Sequence, residues 1–222
     1  MSVAMPGYLI KFEAVSLNGA ADLQIRSLLD HQQYADPLGV AAALGISPAS
    51  WSLFGMVWPS ARMLAGLMET FELQGKRILE VGCGLGLASL VCQRRDMDIT
   101  ASDCHPLAGD FLTRNAGLNG MGLPKYQNGN WETENPALGR FDIIIGSDLL
   151  YERDQPARLS AFIERHAEQA VQVLIVDPNR GNRPGFSRCM TALGYTCEES
   201  SLDGLQACGE AYKGKLLHYT RH

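Results

Sequence analysis

From residue 77 onward, short apolar runs alternate with stretches whose apolar residues recur at helical spacing. Arg77 to Val81 reads as a strand, and Leu87 to Cys92 resumes at helical spacing. Asp98 to Asp103 reads as a second strand, and Pro106 to Leu118 as a helix stopped near Gly120. Lys125 to Trp131 is a weak third strand. Phe141 to Ser147 is apolar without alternation, the pattern of a parallel strand buried on both faces. Gln155 to Gln169 reads as a helix, Val171 to Val176 as a buried strand, and Pro184 to Leu193 as a helix stopped by Gly194. Tyr195 to Ser201 and Glu210 to Thr220 are two closing strands, with Asp203-Gly204 at their turn. Two successive strands joined by a hairpin are antiparallel. The order predicts a doubly wound α/β sheet of seven strands, mostly parallel with an antiparallel last strand, and helices on both faces.

The first third is less regular. Tyr8 to Val15 alternates weakly and predicts an edge strand, and Leu23 to Leu29 a short helix. Asp36-Pro37 is a helix-start signal, with Gly45 ending that helix after Leu44. Residues 46–58 carry many apolar groups with poor helix and strand signals, as in a loop packed over something. Pro59 opens an amphipathic helix through Phe71. Residues 1–55 are expected to form an N-terminal helical and edge-strand extension with a lid, and residues 56–222 the main domain.

The 222 residues suit one α/β domain with an appendage, and 46% hydrophobic residues can fill a sizeable core. A net charge of −5 argues against a broad basic face for nucleic acid. No apolar run approaches the roughly 18 residues of a membrane span, and the N-terminus lacks a signal pattern. The six cysteines show no Cys-x-x-Cys, and no histidine spacing suggests a metal, so neither a zinc site nor a disulfide framework is expected. A reducing, cytoplasmic setting fits.

The chemistry concentrates at Glu80-Val81-Gly82-Cys83-Gly84-Leu85-Gly86, where the first strand breaks into glycines on alternate positions. Glycines let the backbone approach a ligand, and the following helix offers its N-terminus. The third glycine comes one residue too early for a dinucleotide fingerprint, and no Lys-Ser/Thr pair follows to grip phosphate. Glu80 suits an ammonium better than a pyrophosphate. A ligand with an amino-acid end and a nucleoside end fits, and S-adenosylmethionine is one. Asp103, 21 residues beyond Gly82, stands where a ribose diol is gripped. Asn130 can pair with an adenine edge and Trp131 can stack on its face. Asp148 and Tyr151 follow the fourth strand, so they are expected at the same crevice. His105 reads as a helix-start residue near the ribose and Cys83 as a small buried filler; Arg180 and Arg183 read as solvated, with lining the substrate mouth as the alternative.

The glycine stretch resembles motif I of the class I, seven-strand, Rossmann-like methyltransferases. Met56-Val57-Trp58-Pro59-Ser60, Asn130-Trp131 and Asp148-Leu149-Leu150-Tyr151 resemble those of the protein lysine methyltransferases marked by an Asp-x-x-Tyr motif, some of whose bacterial members are labelled nicotinamide N-methyltransferase-like. The resemblance covers roughly residues 50–220 and implies methyl transfer from S-adenosylmethionine, with S-adenosylhomocysteine as product. It implies that Glu80, Gly82, Gly84, Gly86, Asp103, Asn130 and Trp131 hold the cofactor, and that Trp58 lies over it. Asn130 stands where the family often has an acid. Asp148 and Tyr151 match the substrate-side motif. A protein substrate is the first expectation; a small-molecule N-methyltransferase is the alternative. Methyltransferases acting on glutamine or adenine use Asn/Asp-Pro-Pro-Tyr, and those prolines are absent here.

Overall fold

The computed structural model describes residues 7–17, 20–202 and 211–222. Its centre is a seven-stranded sheet. The strands are β3 (Arg77–Val81), β4 (Asp98–Asp103), β5 (Lys125–Asn128), β6 (Phe141–Ser147), β7 (Ala167–Asp177), β8 (Thr196–Ser201) and β9 (Lys215–Arg221). Their spatial order is β5-β4-β3-β6-β7-β9-β8. β3 to β7 are parallel, and β9 runs antiparallel to both β7 and β8. The predicted sheet is therefore present, while the Asp203-Gly204 turn lies outside the described residues.

The uniform apolarity of the central strands has a direct cause. Ile143, Ile144 and Ile145 are all fully buried, yet they feed different cores. Ile78, Ile143, Ile145 and Leu174 pack with the helices of one face, and Leu79, Val81, Ile144 and Val173 with those of the other. Side chains alternate across a pleated strand, so only a strand covered on both faces needs every position apolar. The first face is covered by α2 (Pro59–Met68), α3 (Leu87–Arg94) and α4 (Ala108–Leu118), and the second by α5 (Gln155–His166) and α6 (Arg183–Ala192).

The N-terminal expectations need correction. Residues 23–29 are not helical: Ala20–Leu28 is a strand, β2, paired antiparallel with β1 (Ile10–Leu17) in a separate hairpin. The period-two burial of Leu23 and Ile25 is the strand signal. The expected strand at Tyr8 to Val15 is present as β1, one arm of that hairpin. The outward side of β2 is met by Asn115 on α4 and Asn119 at its C-terminal cap. The Asn115 side-chain amide bonds the Arg26 N–H and C=O (2.8 and 3.3 Å), and that of Asn119 bonds those of Gln24 (2.9 and 2.8 Å).

The helix expected from Asp36 shrinks to one turn, α1 (Val40–Ala43). Pro37, Leu38 and left-handed Gly39 form a turn first, and the Asp36 carboxylate then accepts the Ala41 and Ala42 amides at 3.1 and 2.9 Å. α2 stops at Met68 rather than Phe71. α5 stops at His166, whose Nδ1 lies 2.8 Å from the Gly139 carbonyl, and β7 begins at once. The polar Glu168 and Gln169 belong to the exposed start of that strand, not to a helix.

Candidate active site

β3 ends in the glycine loop that leads into α3. Gly82, Gly84 and Gly86 have φ of 60°, 52° and 73°, a region that side-chain-bearing residues rarely enter. Space confirms the requirement at Gly84, where a Cβ would lie 2.8 Å from the Phe54 carbonyl oxygen. Two bonds from β4 clamp the loop: the Cys83 amide reaches the Ser102 carbonyl at 2.9 Å, and the Gly84 amide reaches Asp103 Oδ2 at 2.8 Å. Asp103 Oδ1 accepts the His105 amide at 2.8 Å. Burial raises the Asp103 carboxyl above its ordinary range, against the pull of these amides.

A cavity of about 420 Å³ opens beside this loop, at the carboxyl ends of β3, β4, β5 and β6. That is the expected place for a ligand in an open α/β sheet, and the size suits a small molecule. Gly82, Gly84, Asp103, Asn130 and Trp131 line it. The Trp131 ring sits 3.8 Å from where a Gly82 Cβ would stand. Asn130 Oδ1 accepts the Glu132 amide at 2.9 Å, which leaves its NH₂ as the part free to donate. The Trp131 carbonyl accepts the Arg165 guanidinium at 2.6 Å, a tether from α5 that no sequence pattern announced.

The cavity roof comes from the apolar segment before α2. A 3₁₀ turn, Trp51–Gly55, places Phe54 on the wall, and Leu53, Met56 and Trp58 continue it. Trp58 Nε1 donates to the Leu53 carbonyl at 2.8 Å, which fixes the indole at the mouth. His105 stacks on Phe54, with ring centroids 3.7 Å apart, and meets Trp51 edge-on at 5.5 Å. It is more than a helix-start residue. Burial pushes its imidazole down to about 4, so the ring is neutral. Nδ1 accepts the Leu107 amide at 3.2 Å, and the buried Nε2 has no partner among the described residues.

Two residues grouped with the cofactor positions stand back from the cavity. Glu80 is 3% exposed and turns beneath the loop, where it accepts two bonds from Ser89. Gly86 faces Leu112, whose Cδ1 would lie 2.5 Å from an added Cβ. Both shape the loop from below rather than forming its wall.

The opposite side of the mouth is built after β6. The Asp148 amide donates to the Val176 carbonyl at 2.9 Å, extending the β6–β7 ladder by one rung. Asp148 then takes φ 55°. Leu149 and Leu150 pack into the core beneath α5, and Asp148, Leu149 and Tyr151 line the cavity. Tyr151 is 45% exposed, and partial burial of its ring pushes the phenol up to about 12, so it is a neutral hydroxyl.

Arg180 is not simply solvated. Its Nε donates to Asp148 Oδ1 at 2.8 Å and its second guanidinium nitrogen to Oδ2 at 3.0 Å. The rule that strand ends converge on one crevice would have found it, since Arg180 follows the strand beside β6. Arg183 does point elsewhere, toward Asn179 (3.2 Å) and Glu199 (3.7 Å). Cys83 is buried, 6% exposed, and desolvation raises its thiol well above the ordinary range, which suits a filler. Among the described residues no group of three or more His, Cys, Asp or Glu is placed to hold a metal ion.

A seven-stranded sheet with one antiparallel strand, and a cavity at a glycine loop after its first parallel strand, define the architecture of the Rossmann-like methyltransferases. Magnesium protoporphyrin IX methyltransferase from Synechocystis PCC 6803, solved with bound SAM (S-adenosylmethionine), matches this fold with a TM-score of 0.55 at 15% identity, over 72% of this chain and 76% of that one. The family described as "Lysine methyltransferase" matches residues 48–186, and the chain belongs to that family. Among its relatives, the mouse electron transfer flavoprotein beta subunit lysine methyltransferase is 28% identical over 63% of this chain and 56% of its own length. A histidine protein methyltransferase 1 homolog from Dictyostelium discoideum is 34% identical over 45% of this chain and 34% of its own. The chain spans about half the length, or less, of these relatives.

Proposed function

We propose that this chain is an S-adenosylmethionine-dependent N-methyltransferase whose acceptor is a lysine side chain of another protein. Family membership supports the reaction class. The observation that carries the reading is the placement of two carboxylates at one cavity, Asp103 at the end of β4 and Asp148 just beyond β6, on either side of the glycine loop.

The cofactor side has the right chemistry for an adenosine with an amino-acid tail. Asp103 offers oxygens for a ribose diol, the Trp131 face suits stacking, and the Asn130 NH₂ can reach an adenine edge. Phe54 of the extension and Trp58, just before α2, cover the ligand. His105 also lines this wall, though its unpartnered Nε2 is closed off from the cavity. Glu80 and Gly86 act at one remove, by holding the loop. S-adenosylmethionine, when bound, supplies an electrophilic methyl on a sulfonium.

The acceptor side is Asp148 and Tyr151. Transfer needs a neutral amine, and at pH 7 deprotonating a lysine of ordinary pKa costs about 4–5 kcal/mol. Orienting the reactants supplies on the order of 7–11 kcal/mol, so holding the amine in line outweighs base catalysis. Asp148 receives the incoming ammonium, and Tyr151 adds a neutral hydroxyl or a ring face for the cation. The proton leaves to water before transfer.

We divide the chain into residues 1–55, the extension and lid, and 56–222, the catalytic domain. Free thiols at Cys83, Cys92, Cys104, Cys189 and Cys197 suit a reducing, cytoplasmic setting. Among the described residues no helix is long and apolar enough to cross a membrane. A small-molecule N-methyltransferase is the second reading, favoured by the roof that residues 46–58 put over the cavity. Labelled cofactor incubated with host lysate separates the two. Label fixed on protein lysines supports our reading, label on histidines moves the acceptor, and dialysable label selects the small molecule.

A further inference from the structure

Arg180 is placed to do more than fold the loop. Its guanidinium forks onto both oxygens of Asp148, while its own amide donates to Asp177 Oδ1 at 2.8 Å. The side chains of Arg180 and Asp148 are 41% and 13% exposed. An ion pair so open on one side adds little to folding. It sits instead at the mouth of the cavity, on the carboxylate proposed to receive the acceptor amine.

That location meets a chemical difficulty. An unpaired carboxylate attracts an amine but also favours its charged, unreactive form. A cation beside the carboxylate offsets that preference without removing the hydrogen-bond acceptor. We propose that Arg180 is an electrostatic positioning residue for the acceptor: held on Asp148, it weakens the site's preference for a primary alkylammonium over the neutral amine. This rests on the reading of Asp148 as the acceptor's anchor.

The other charged and titratable groups near the mouth come from the neighbouring elements. Asp177, the last residue of β7, is fully buried; its Oδ1 holds the Arg180 amide, and its Oδ2 has no partner among the described residues. Tyr151 and Tyr212, from the loops after β6 and before β9, are both neutral phenols, and Tyr212 is bonded to Ser60 at 2.8 Å. Arg158 pairs with Glu132 and Asp154, and Arg183 lies toward Glu199. Glu152 lines the mouth, and its amide is fixed by Gln155. Arg180 is thus the cation joined to Asp148 among the described ion pairs.

The test uses n-butylamine, labelled with ¹³C at C1, as the acceptor probe, with S-adenosylhomocysteine present. NMR then reads both the affinity and the pKa of the bound amine in the 222-residue chain. Arg180→Gln is expected to raise the bound amine's pKa by about one unit, which is about tenfold tighter binding of the ammonium at pH 7. Arg180→Lys keeps the charge without the fork and should return most of that shift. Asp148→Asn, combined with Arg180→Gln, should abolish the gain. An unchanged amine pKa in Arg180→Gln, in protein melting within a few degrees of wild type, overturns the inference alone. A gain that survives Asp148→Asn overturns it too. If wild type and Arg180→Gln both fail to bind butylammonium, the acceptor reading of Asp148 falls first and takes the inference with it.

Discussion

Ser89 donates both its backbone amide, at 2.9 Å, and its hydroxyl, at 2.5 Å, to one oxygen of the Glu80 carboxylate. The pair ties the end of β3 to the first turn of α3, where a helix N-terminus favours negative charge. Burial nevertheless wins, and raises the Glu80 carboxyl from 4.5 to about 7.

This sets up two opposed pH dependences of stability. Glu80 holds a proton more readily folded than unfolded, so its contribution is present below about pH 4.5 and lost as the pH climbs to about 7. His105, lowered from 6.5 to about 4, does the reverse: its contribution is present above about pH 6.5 and lost as the pH falls to about 4. Each is on the order of 3 kcal/mol. In cofactor-free protein, Glu80→Gln should gain stability with pH between 4.5 and 6.5, and His105→Phe should lose it. Urea unfolding at several pH values reads the slopes, and parallel curves for the two variants would refute the assignment.

Asp148→Ala should abolish turnover and leave cofactor affinity within a few-fold. The carboxylate lies across the mouth from the cofactor wall, so its loss should be felt by the acceptor. Calorimetric titration beside an activity assay makes the comparison. Equal loss of both would move Asp148 to the cofactor side.

Trp131→Ala should weaken cofactor binding by about 1–3 kcal/mol, roughly 5–150-fold, the usual worth of a base stacked on an aromatic face. The measurement is a dissociation constant for S-adenosylhomocysteine. A change below about threefold would mean that the indole only packs.

Gly84→Ala should destabilise the protein and damage the site together. The left-handed backbone alone costs a non-glycine residue about 1–2 kcal/mol, and the new Cβ would meet the Phe54 carbonyl. A drop of about 2–8 °C in melting temperature is expected, with weaker stabilisation by the cofactor.

Most of the sheet was legible because its strands are buried on both faces, and Phe141 to Ser147 has no other reading. The glycine loop was legible because three glycines at alternate positions make sense only as backbone. The hairpin is not legible because Leu23 to Leu29 is short enough to suit either period, and what settles it is the ladder with Ile10–Leu17, which neither segment announces alone. α5 was overextended because Glu168 and Gln169 are polar, and sequence does not say which end of a buried strand protrudes. At the site, types and rough places were readable, but pairings were not. Nothing local announces that Arg180 forks onto Asp148, that Arg165 holds Trp131, or that His105 stacks on Phe54.

The asparagines that grip β2 have an effect beyond attachment. The outer side of a two-stranded hairpin is an open row of N–H and C=O groups, on which a strand of another molecule can build. At Gln24 and Arg26 that row is already answered by amides from a helix, one turn apart. The main domain thus guards the hairpin against strand addition. Replacing Asn115 and Asn119 with leucine would keep the helix and bare the strand, turning a monomer-compatible surface into a seed for intermolecular β-sheet.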